Sequence, residues 1–257
     1  MKIALIGYGK MGKAIEEIAL HKGYEIVLKI NDENSNELNT NNLKKADVAI
    51  EFTGPESAAE NIKSCFEAGV PVVCGSTGWL ANLEDIKDYC RSMNGTFLYA
   101  SNFSIGVNLF FELNTFLARL MNEYEDYEVL LKEIHHTQKK DAPSGTAITL
   151  AEQIISQLKR KKAWMNHPAL KFDELEIMSE RTDPAPGTHQ VKYTSDIDDI
   201  EIIHTAHNRN GFASGALKAA EFLVGKKGMY SMKDVLGLKP TNSHTIQPLP
   251  YRRPCLF

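Results

Sequence analysis

The sequence contains few cysteines, and none of them is arranged to bind a metal. The four cysteines are Cys65, Cys74, Cys90 and Cys255. They include no C-x-x-C pair and no zinc spacing, which argues against a metal centre or a disulfide framework. We therefore expect no bound metal.

The sequence also lacks long apolar runs and strong charge. Because no run of about 18 apolar residues occurs, we expect no transmembrane helix. MKIALIGYGKMG leads directly into a predicted strand and a glycine turn, so we expect no signal peptide. A net charge of −4 and a pI near 6.1 provide no broad positive surface for a nucleic acid or an acidic membrane. These features predict a cytoplasmic protein that binds neither nucleic acid nor membrane.

The first hundred residues alternate short apolar runs with helical patterns. This alternation predicts a parallel sheet with right-handed crossovers. The predicted strands are residues 2–6, 25–30, 46–52, 70–75 and 96–100.

A glycine-rich turn follows the first predicted strand. Gly7, Gly9 and Gly12 form G-x-G-x-x-G between a strand and a helix, the context in which this motif is informative. Such a turn lets the backbone approach a pyrophosphate, whose charge meets free N–H groups at the helix start. We predict a dinucleotide site formed by Gly7, Tyr8, Gly9, Lys10, Met11 and Gly12.

Other polar residues follow the later strands. Asn31 and Asp32 stand about 20 residues beyond the glycines, where a carboxylate binds the ribose of NAD. Lys29 is a possible partner for the 2′-phosphate of NADP instead, so either NADH or NADPH fits the sequence. Strand-end residues are expected to line the nicotinamide half of the cleft. They are Phe52, Thr53, Gly75, Ser76 and Thr77.

From Asn102 the pattern changes to that of a second domain. An apolar stripe predicts a long amphipathic helix, and strands then predominate. We predict an α+β domain whose sheet packs on helices and leaves one face open for self-association. The stripe is Leu109, Phe110, Leu113, Phe116, Leu117 and Leu120, and the strands are residues 127–135, 175–180, 189–195 and 200–207.

The predicted fold class is therefore α/β, a Rossmann-type parallel-sheet domain joined to an α+β domain. The dinucleotide-binding domain comprises residues 1–101 and 212–238; that the apolar helical stripe from about Phe212 returns to the first domain is what resemblance to a known family implies. Residues 102–211 form the substrate-binding and oligomerisation domain. Residues 239–257 have no apolar period, so we interpret them as a disordered or non-native tail.

The segment EIHHTQKKDAPSGTA, residues 133–147, carries the strongest chemical signal. His135, His136 and Lys139 provide two proton donors and a cation within one loop. Ser144, Gly145 and Thr146 begin a predicted helix, whose N–H groups and hydroxyls suit a carboxylate or phosphate. The alternative is that Ser144 or Thr146 only caps the helix, and both roles are compatible.

This segment, with GYGKMG, FTGPE, CGSTGW and ASNFSIGVN, resembles the 4-hydroxy-tetrahydrodipicolinate reductase family of the diaminopimelate route to lysine. The resemblance implies hydride transfer from a nicotinamide to a small cyclic dicarboxylate, with His135 as proton donor and acceptor. It implies that His136 contacts the substrate, that Lys139 is a second acid, and that a substrate carboxylate rests on Gly145 and Thr146. It also implies a homotetramer and a cofactor site that includes Ala100, Ser101, Asn102 and Phe103.

Two other functions remain as alternatives. One is another dinucleotide-linked reductase that acts on a semialdehyde or an imino acid. The second is a catalytically silent module that binds a dinucleotide and reports redox state. Paired histidines before DAPSGT argue against the first, and the presence of both His135 and Lys139 argues against the second.

Overall fold

The computed structural model describes residues 1–208 and 210–238, and these form two sheets with helices packed against them. The predicted tail at 239–257, with Cys255, lies outside the described residues. Within those residues, no helix is long and apolar enough to cross a membrane.

The first sheet has six parallel strands in the order β11-β5-β4-β3-β1-β2. Its core strands are almost entirely buried, because helices cover both faces. The strands are β1 (Lys2–Ile6), β2 (Glu25–Ile30), β3 (Val48–Glu51), β4 (Val72–Cys74), β5 (Thr96–Tyr99) and β11 (Gly228–Tyr230).

Two helical layers enclose this sheet. Ile62 and Phe66 pack on one face, whereas Ile15 and Leu217 pack on the other. The helices within residues 1–208 and 210–238 are α1 (Lys10–His21), α2 (Thr40–Leu43), α3 (Ala58–Glu67), α4 (Leu83–Ser92), α5 (Ile105–Met121), α6 (Gly145–Gln157), α7 (Asn210–Leu223) and α8 (Met232–Leu236). Residues Ser35–Glu37 and Leu80–Asn82 form 3-10 turns.

The second sheet is mixed, with the order β10-β9-β6-β8-β7. The central strand β6 pairs antiparallel with β9 and parallel with β8. One face packs against α5 and α6, around Leu131, Leu150 and Tyr193. The strands are β6 (Glu128–His135), β7 (Ala163–Met165), β8 (Glu174–Arg181), β9 (Gly187–Thr194) and β10 (Asp199–Ala206).

The apolar stripe correctly predicted that α5 is a helix, but it did not predict which face of the helix is buried. Phe110 is buried and Leu117 packs against the core, but four other members are exposed. The buried face instead includes Asn114, whose Nδ2 donates to Leu150 O at 3.1 Å and to Gln153 Oε1 at 3.0 Å. Because this helix is apolar on two sides and polar within its core face, its periodicity misled the prediction. The exposed members are Leu109, Leu113, Phe116 and Leu120.

Gly215 joins α7 to the segment that leads into α5. A Cβ atom at this position would lie 1.8 Å from the carbonyl oxygen of Phe103, so the close approach requires glycine. The contact fixes Phe103 beside the first sheet, at the start of the second domain.

We expect Gly215→Ala to lower the free energy of unfolding by about 1 to 3 kcal/mol, the usual cost of overpacking. Gly211→Ala, in the same helix, is the matched control, because its Cβ would make only an ordinary 3.7 Å contact with Ser104 Oγ. Urea denaturation of both variants tests this expectation. Equal stability of the two variants would show that α7 can move away from Phe103 at little cost.

Candidate active site

The glycine turn lies where the ends of β1, β2 and β3 meet. The N–H groups of Gly7 and Tyr8 donate to Ile30 O at 3.0 and 2.8 Å. Gly7 has φ +95°, and a Cβ atom there would lie 2.1 Å from Phe52 O. Because the turn lies directly against the end of β3 and Gly7 has a positive φ, only glycine fits at this position.

A cavity of about 580 Å³ opens beside this turn. The first turn of α1 follows Gly9, which supplies no side-chain cap, so the N–H groups of that turn suit an anion. These features fit a dinucleotide. The cavity is lined by seven predicted residues, Gly7, Tyr8, Gly9, Asn31, Asp32, Phe52 and Thr53, and by Ile30, Ser35, Leu38, Gly54, Pro55, Glu56, Ser57 and Asn61.

The remaining residues of the predicted glycine motif lie in α1 and not in the cavity wall. Gly12 is buried, Met11 packs against the core and Lys10 is exposed. Asn31 also has a local role, since its Oδ1 accepts hydrogen bonds from the N–H groups of Glu33 and Asn34 at 3.0 and 3.2 Å. Its side chain therefore shapes the turn that carries Asp32.

A buried carboxylate, Glu51, organises the ends of β3 and β4. Its Oε1 accepts hydrogen bonds from Thr53 N at 2.9 Å and Ser76 Oγ at 3.0 Å, and also from the Thr53 hydroxyl. Its Oε2 lies 2.9 Å from Cys74 Sγ. Gly75 donates its N–H to Glu51 O at 2.9 Å, whereas Thr77 is exposed. Glu51 thus joins two of the predicted cofactor loops.

The segment after β5 connects the two halves of the site. Ala100 packs against the core, Ser101 is exposed, and the Phe103 ring lies 5.7 Å from that of Phe52. Asn102 is buried, and its Nδ2 donates to Thr146 Oγ1 at 3.3 Å. A predicted cofactor residue therefore contacts a predicted substrate residue directly.

Glu133, on the inward face of β6, is the centre of the second half. Its side chain is completely buried, and several groups converge on its carboxylate. Although burial opposes ionisation, these contacts hold the pKa of Glu133 well below its ordinary value. The contacts are His135 Nδ1 at 3.3 Å, Ser144 N at 3.1 Å, Ser179 Oγ at 2.8 Å and Arg181 Nη2 at 3.1 Å.

The two adjacent histidines have different surroundings. His135 ends β6 and is buried beside Glu133. His136 instead lines a separate cleft of about 300 Å³ with Gln138, Asp183 and Asn208. The structure therefore does not place His136 in the Glu133 cluster.

Lys139 lies in the loop between β6 and α6. Its Nζ contacts both carboxylate oxygens of Asp141, at 2.9 and 2.8 Å. Partial burial opposes ionisation of Asp141, but the Lys139 ammonium lowers the pKa of that carboxyl group. Arg181 holds this loop, because its Nη2 donates to Asp141 O at 2.6 Å while also contacting Glu133.

The three predicted residues at the start of α6 have distinct positions. Ser144 is buried and caps the helix, since its Oγ accepts a hydrogen bond from Ala147 N at 3.2 Å. Gly145 is exposed and Thr146 is half-buried, both in the first turn, where N–H groups have no acceptor within the helix. The capping alternative is thus observed, and the first turn remains suited to an anion.

His189, on β9, completes the buried cluster. Its Nε2 lies 3.2 Å from Ser144 Oγ, and its ring centroid lies 5.1 Å from that of His135. Burial, followed by the charge of His135, lowers the pKa of His189 to about 3. Ligand atoms of Glu133, His135 and His189 lie within 4.8 Å of one another. Arg181 supplies a cation beside Glu133, with its Nη2 3.1 Å from Glu133 Oε1.

The sequence reasoning missed Glu51, Glu133, Arg181 and His189. One signal was present, because Glu133 and His135 are two residues apart on a strand and so share its inward face. A carboxylate on a core-facing position needs a partner, which identifies Glu133 as unusual. Arg181 and His189 come from other strands, so only the sheet pairing reveals them.

Comparison with known families decides the assignment. Residues 1–103 match the family model described as "Dihydrodipicolinate reductase, N-terminus", and residues 106–236 match the model described as "Dihydrodipicolinate reductase, C-terminus". The chain belongs to the dihydrodipicolinate reductase family. The resemblance inferred from the sequence motifs is therefore confirmed.

Curated relatives of this reductase family extend over most of the chain. The 4-hydroxy-tetrahydrodipicolinate reductase of Christiangramia forsetii is 51% identical and aligns with 92% of this chain and 98% of its own length. The enzyme of the same name from Alkaliphilus oremlandii is 36% identical, with coverage of 90% and 95%.

Solved structures support the fold. A dipicolinate-bound dihydrodipicolinate reductase from Paenisporosarcina superposes with a TM-score of 0.72 at 23% identity and covers 90% of this chain and 97% of that one. An amine dehydrogenase from Mycobacterium smegmatis gives a TM-score of 0.57 at 11% identity, with coverage of 90% and 95%. The predicted α/β fold with a second α+β domain is confirmed.

The low pKa of His189 predicts a pH dependence of stability. Unfolded histidine has a pKa of about 6.5, so between that value and about 3 the unfolded chain binds a proton that the folded chain excludes. Acid therefore favours unfolding, by at most about 1.4 kcal/mol per pH unit for this group. In urea denaturation between pH 6.5 and 5, we expect a shallower loss of stability for His189→Gln than for the unsubstituted protein.

The exposed His167 provides the control for loss of a histidine. If His189→Gln and His167→Gln have equal pH slopes, His189 is not held neutral in the folded state.

Proposed function

We propose that the protein reduces 4-hydroxy-tetrahydrodipicolinate to tetrahydrodipicolinate, using NADH or NADPH, in the diaminopimelate route to lysine. In the balanced reaction, a hydride and a proton enter, and the substrate hydroxyl leaves as water. The proposal follows from membership of the family and from 51% identity to a reductase of that name over almost all of the relative's length.

The geometric observation that supports it most directly is the hydrogen bond from Asn102 to Thr146. Asn102 follows β5 at the carboxyl edge of the parallel sheet, where open α/β folds bind ligands. Thr146 lies in the first turn of α6, beside the loop that carries Lys139. This contact supports a site in which the carboxyl end of β5 and the first turn of α6 act together.

In this proposal, the bound nicotinamide supplies the hydride. His135 transfers the proton, and its Nδ1 lies 3.3 Å from Glu133 Oε2, where the carboxylate favours the protonated ring by its charge without the geometry of a hydrogen bond. Lys139 is a second acid, and together with the first turn of α6 it binds the carboxylates of the substrate, because an ammonium and unpaired N–H groups both favour anions. Asp141 holds the Lys139 ammonium until substrate competes for it.

We expect His135→Ala and Lys139→Ala each to reduce kcat by roughly 100-fold or more, the usual contribution of general acid catalysis. Steady-state assays with enzymatically prepared substrate measure this effect. Lys140→Ala is the matched control, because the adjacent Lys140 side chain is exposed and we assign it no role.

An unchanged kcat in either variant would remove that residue from the mechanism. Tight dinucleotide binding without turnover by the unsubstituted protein would instead favour a redox sensor over a reductase.

We further propose a cytoplasmic homotetramer that assembles through the open face of the second sheet. Leu130, Met178 and Ile203 are exposed on this face, which has no helix against it among the described residues. Lys132, Glu176 and Lys192 lie on the same face, so the surface is mixed, with apolar side chains among charged ones, as protein–protein interfaces commonly are.

We expect light scattering to give the mass of four 28.7 kDa chains. Ile203→Lys should reduce this mass, because a charge on the open face opposes its burial. Leu113→Lys, on the exposed side of α5, serves as the control and should retain the assembly. If Leu113→Lys reduces the mass and Ile203→Lys does not, the subunit interface lies at α5 and not at the open face of the sheet.

A further inference from the structure

A charged cluster lies immediately behind the dinucleotide cavity. Lys29, near the end of β2, has its Nζ 2.5 Å from Glu16 Oε1 in α1. The other oxygen of the same carboxylate, Oε2, accepts a hydrogen bond from the Tyr8 hydroxyl. The Lys29 ammonium also lies 5.0 Å from the centroid of the Tyr8 ring. We call Tyr8, Glu16 and Lys29 the Glu16 cluster.

The cavity itself provides no positive charge for a second phosphate. Among the described residues that line it, none is lysine, arginine or histidine, whereas Asp32 and Glu56 are acidic. Asp32 lies 20 residues beyond Gly12, where a carboxylate binds the 2′-hydroxyl of NAD. A 2′-phosphate adds negative charge at this position and needs a cation. Lys29 is a suitable candidate, because it directly precedes Ile30 in the cavity wall and its ammonium lies beside the lining residue Tyr8. The Nζ of Lys13 lies farther from the same ring, at 5.9 Å.

We propose that Glu16 is a specificity-determining residue, which disfavours NADPH relative to NADH by pairing with Lys29. This inference rests on the proposed dinucleotide site. Its physical basis is competition, since an ammonium that contacts Glu16 at 2.5 Å must leave that partner before it meets a phosphate.

The ion pair is well placed to resist such a change. The Glu16 side chain is only 15% exposed, whereas that of Lys29 is 43% exposed. Hydrogen bonds from Lys29 and Tyr8 lower the pKa of Glu16, and Glu16 in turn raises the pKa of Lys29. Departure of Lys29 would leave a largely buried carboxylate with the Tyr8 hydroxyl as its remaining partner in the cluster, which is unfavourable.

The test compares Glu16→Gln with Glu17→Gln. Both remove one negative charge from α1, but Glu17 is exposed and lies outside the cluster. Isothermal titration with NADH and with NADPH measures affinity without any need for turnover. We expect Glu16→Gln to tighten NADPH binding about tenfold, the scale of one hydrogen bond to a charged group. NADH binding should change less than about twofold, and Glu17→Gln should leave both affinities unchanged.

The double variant Glu16→Gln with Lys29→Ala tests whether Lys29 provides the tighter NADPH binding expected of Glu16→Gln. We expect it to return NADPH affinity to the level of Lys29→Ala alone. The inference is overturned if Glu16→Gln gains no more than Glu17→Gln, or if the double variant keeps the gain. If the variants change NADPH affinity as expected but the unsubstituted protein lacks reductase activity, only the proposed reaction is contradicted. Absence of any dinucleotide binding would overturn both.

Discussion

The second half of the site depends on the burial of one ionised carboxylate. Glu133 contacts groups from β6, β8 and the start of α6, so one side chain sets the relative positions of His135, Ser144 and Arg181. A buried carboxylate is strongly unfavourable unless such partners are present. The fold must therefore bring these partners to Glu133. One of them, Arg181, also donates a hydrogen bond to Asp141 O and so restricts the loop that carries Lys139.

In the first half of the site, a second buried glutamate has a similar structural role at the end of β3. Glu51 is also completely buried, and its contacts with Thr53 and Ser76 hold two loops that have no regular structure of their own. In each half, a strand positions a carboxylate, and the carboxylate then fixes irregular backbone beside it. This arrangement gives loop residues a defined geometry, which a catalytic site requires. The hydrogen bond between Asn102 and Thr146 joins the two halves.

Local patterns explain why much of the fold was predictable. The observed β1 and β2 match the predicted residues 2–6 and 25–30, because short buried runs beside glycine turns are distinctive. The three-residue strands β7 and β11 were missed, since such short segments carry no period. Seven residues of the cavity beside the glycine turn were among those predicted from the glycine motif and the strand ends. Arg181 and His189 were not predicted, because their proximity to Glu133 arises from pairing between distant strands.

The role of a charged side chain, unlike that of an apolar one, depends on partners that the sequence pattern does not predict. In the sequence, Lys29 is a free cation near a cofactor motif and thus compatible with either dinucleotide. In the fold, α1 places Glu16 against it, and the same lysine becomes half of an ion pair behind Tyr8. Lys139 is similar, since its ammonium contacts the Asp141 carboxylate at 2.8 Å. In both cases, an anionic ligand of the lysine would have to compete with a carboxylate of the protein. The affinity of each lysine for such a ligand is therefore set by its neighbour as much as by its own charge.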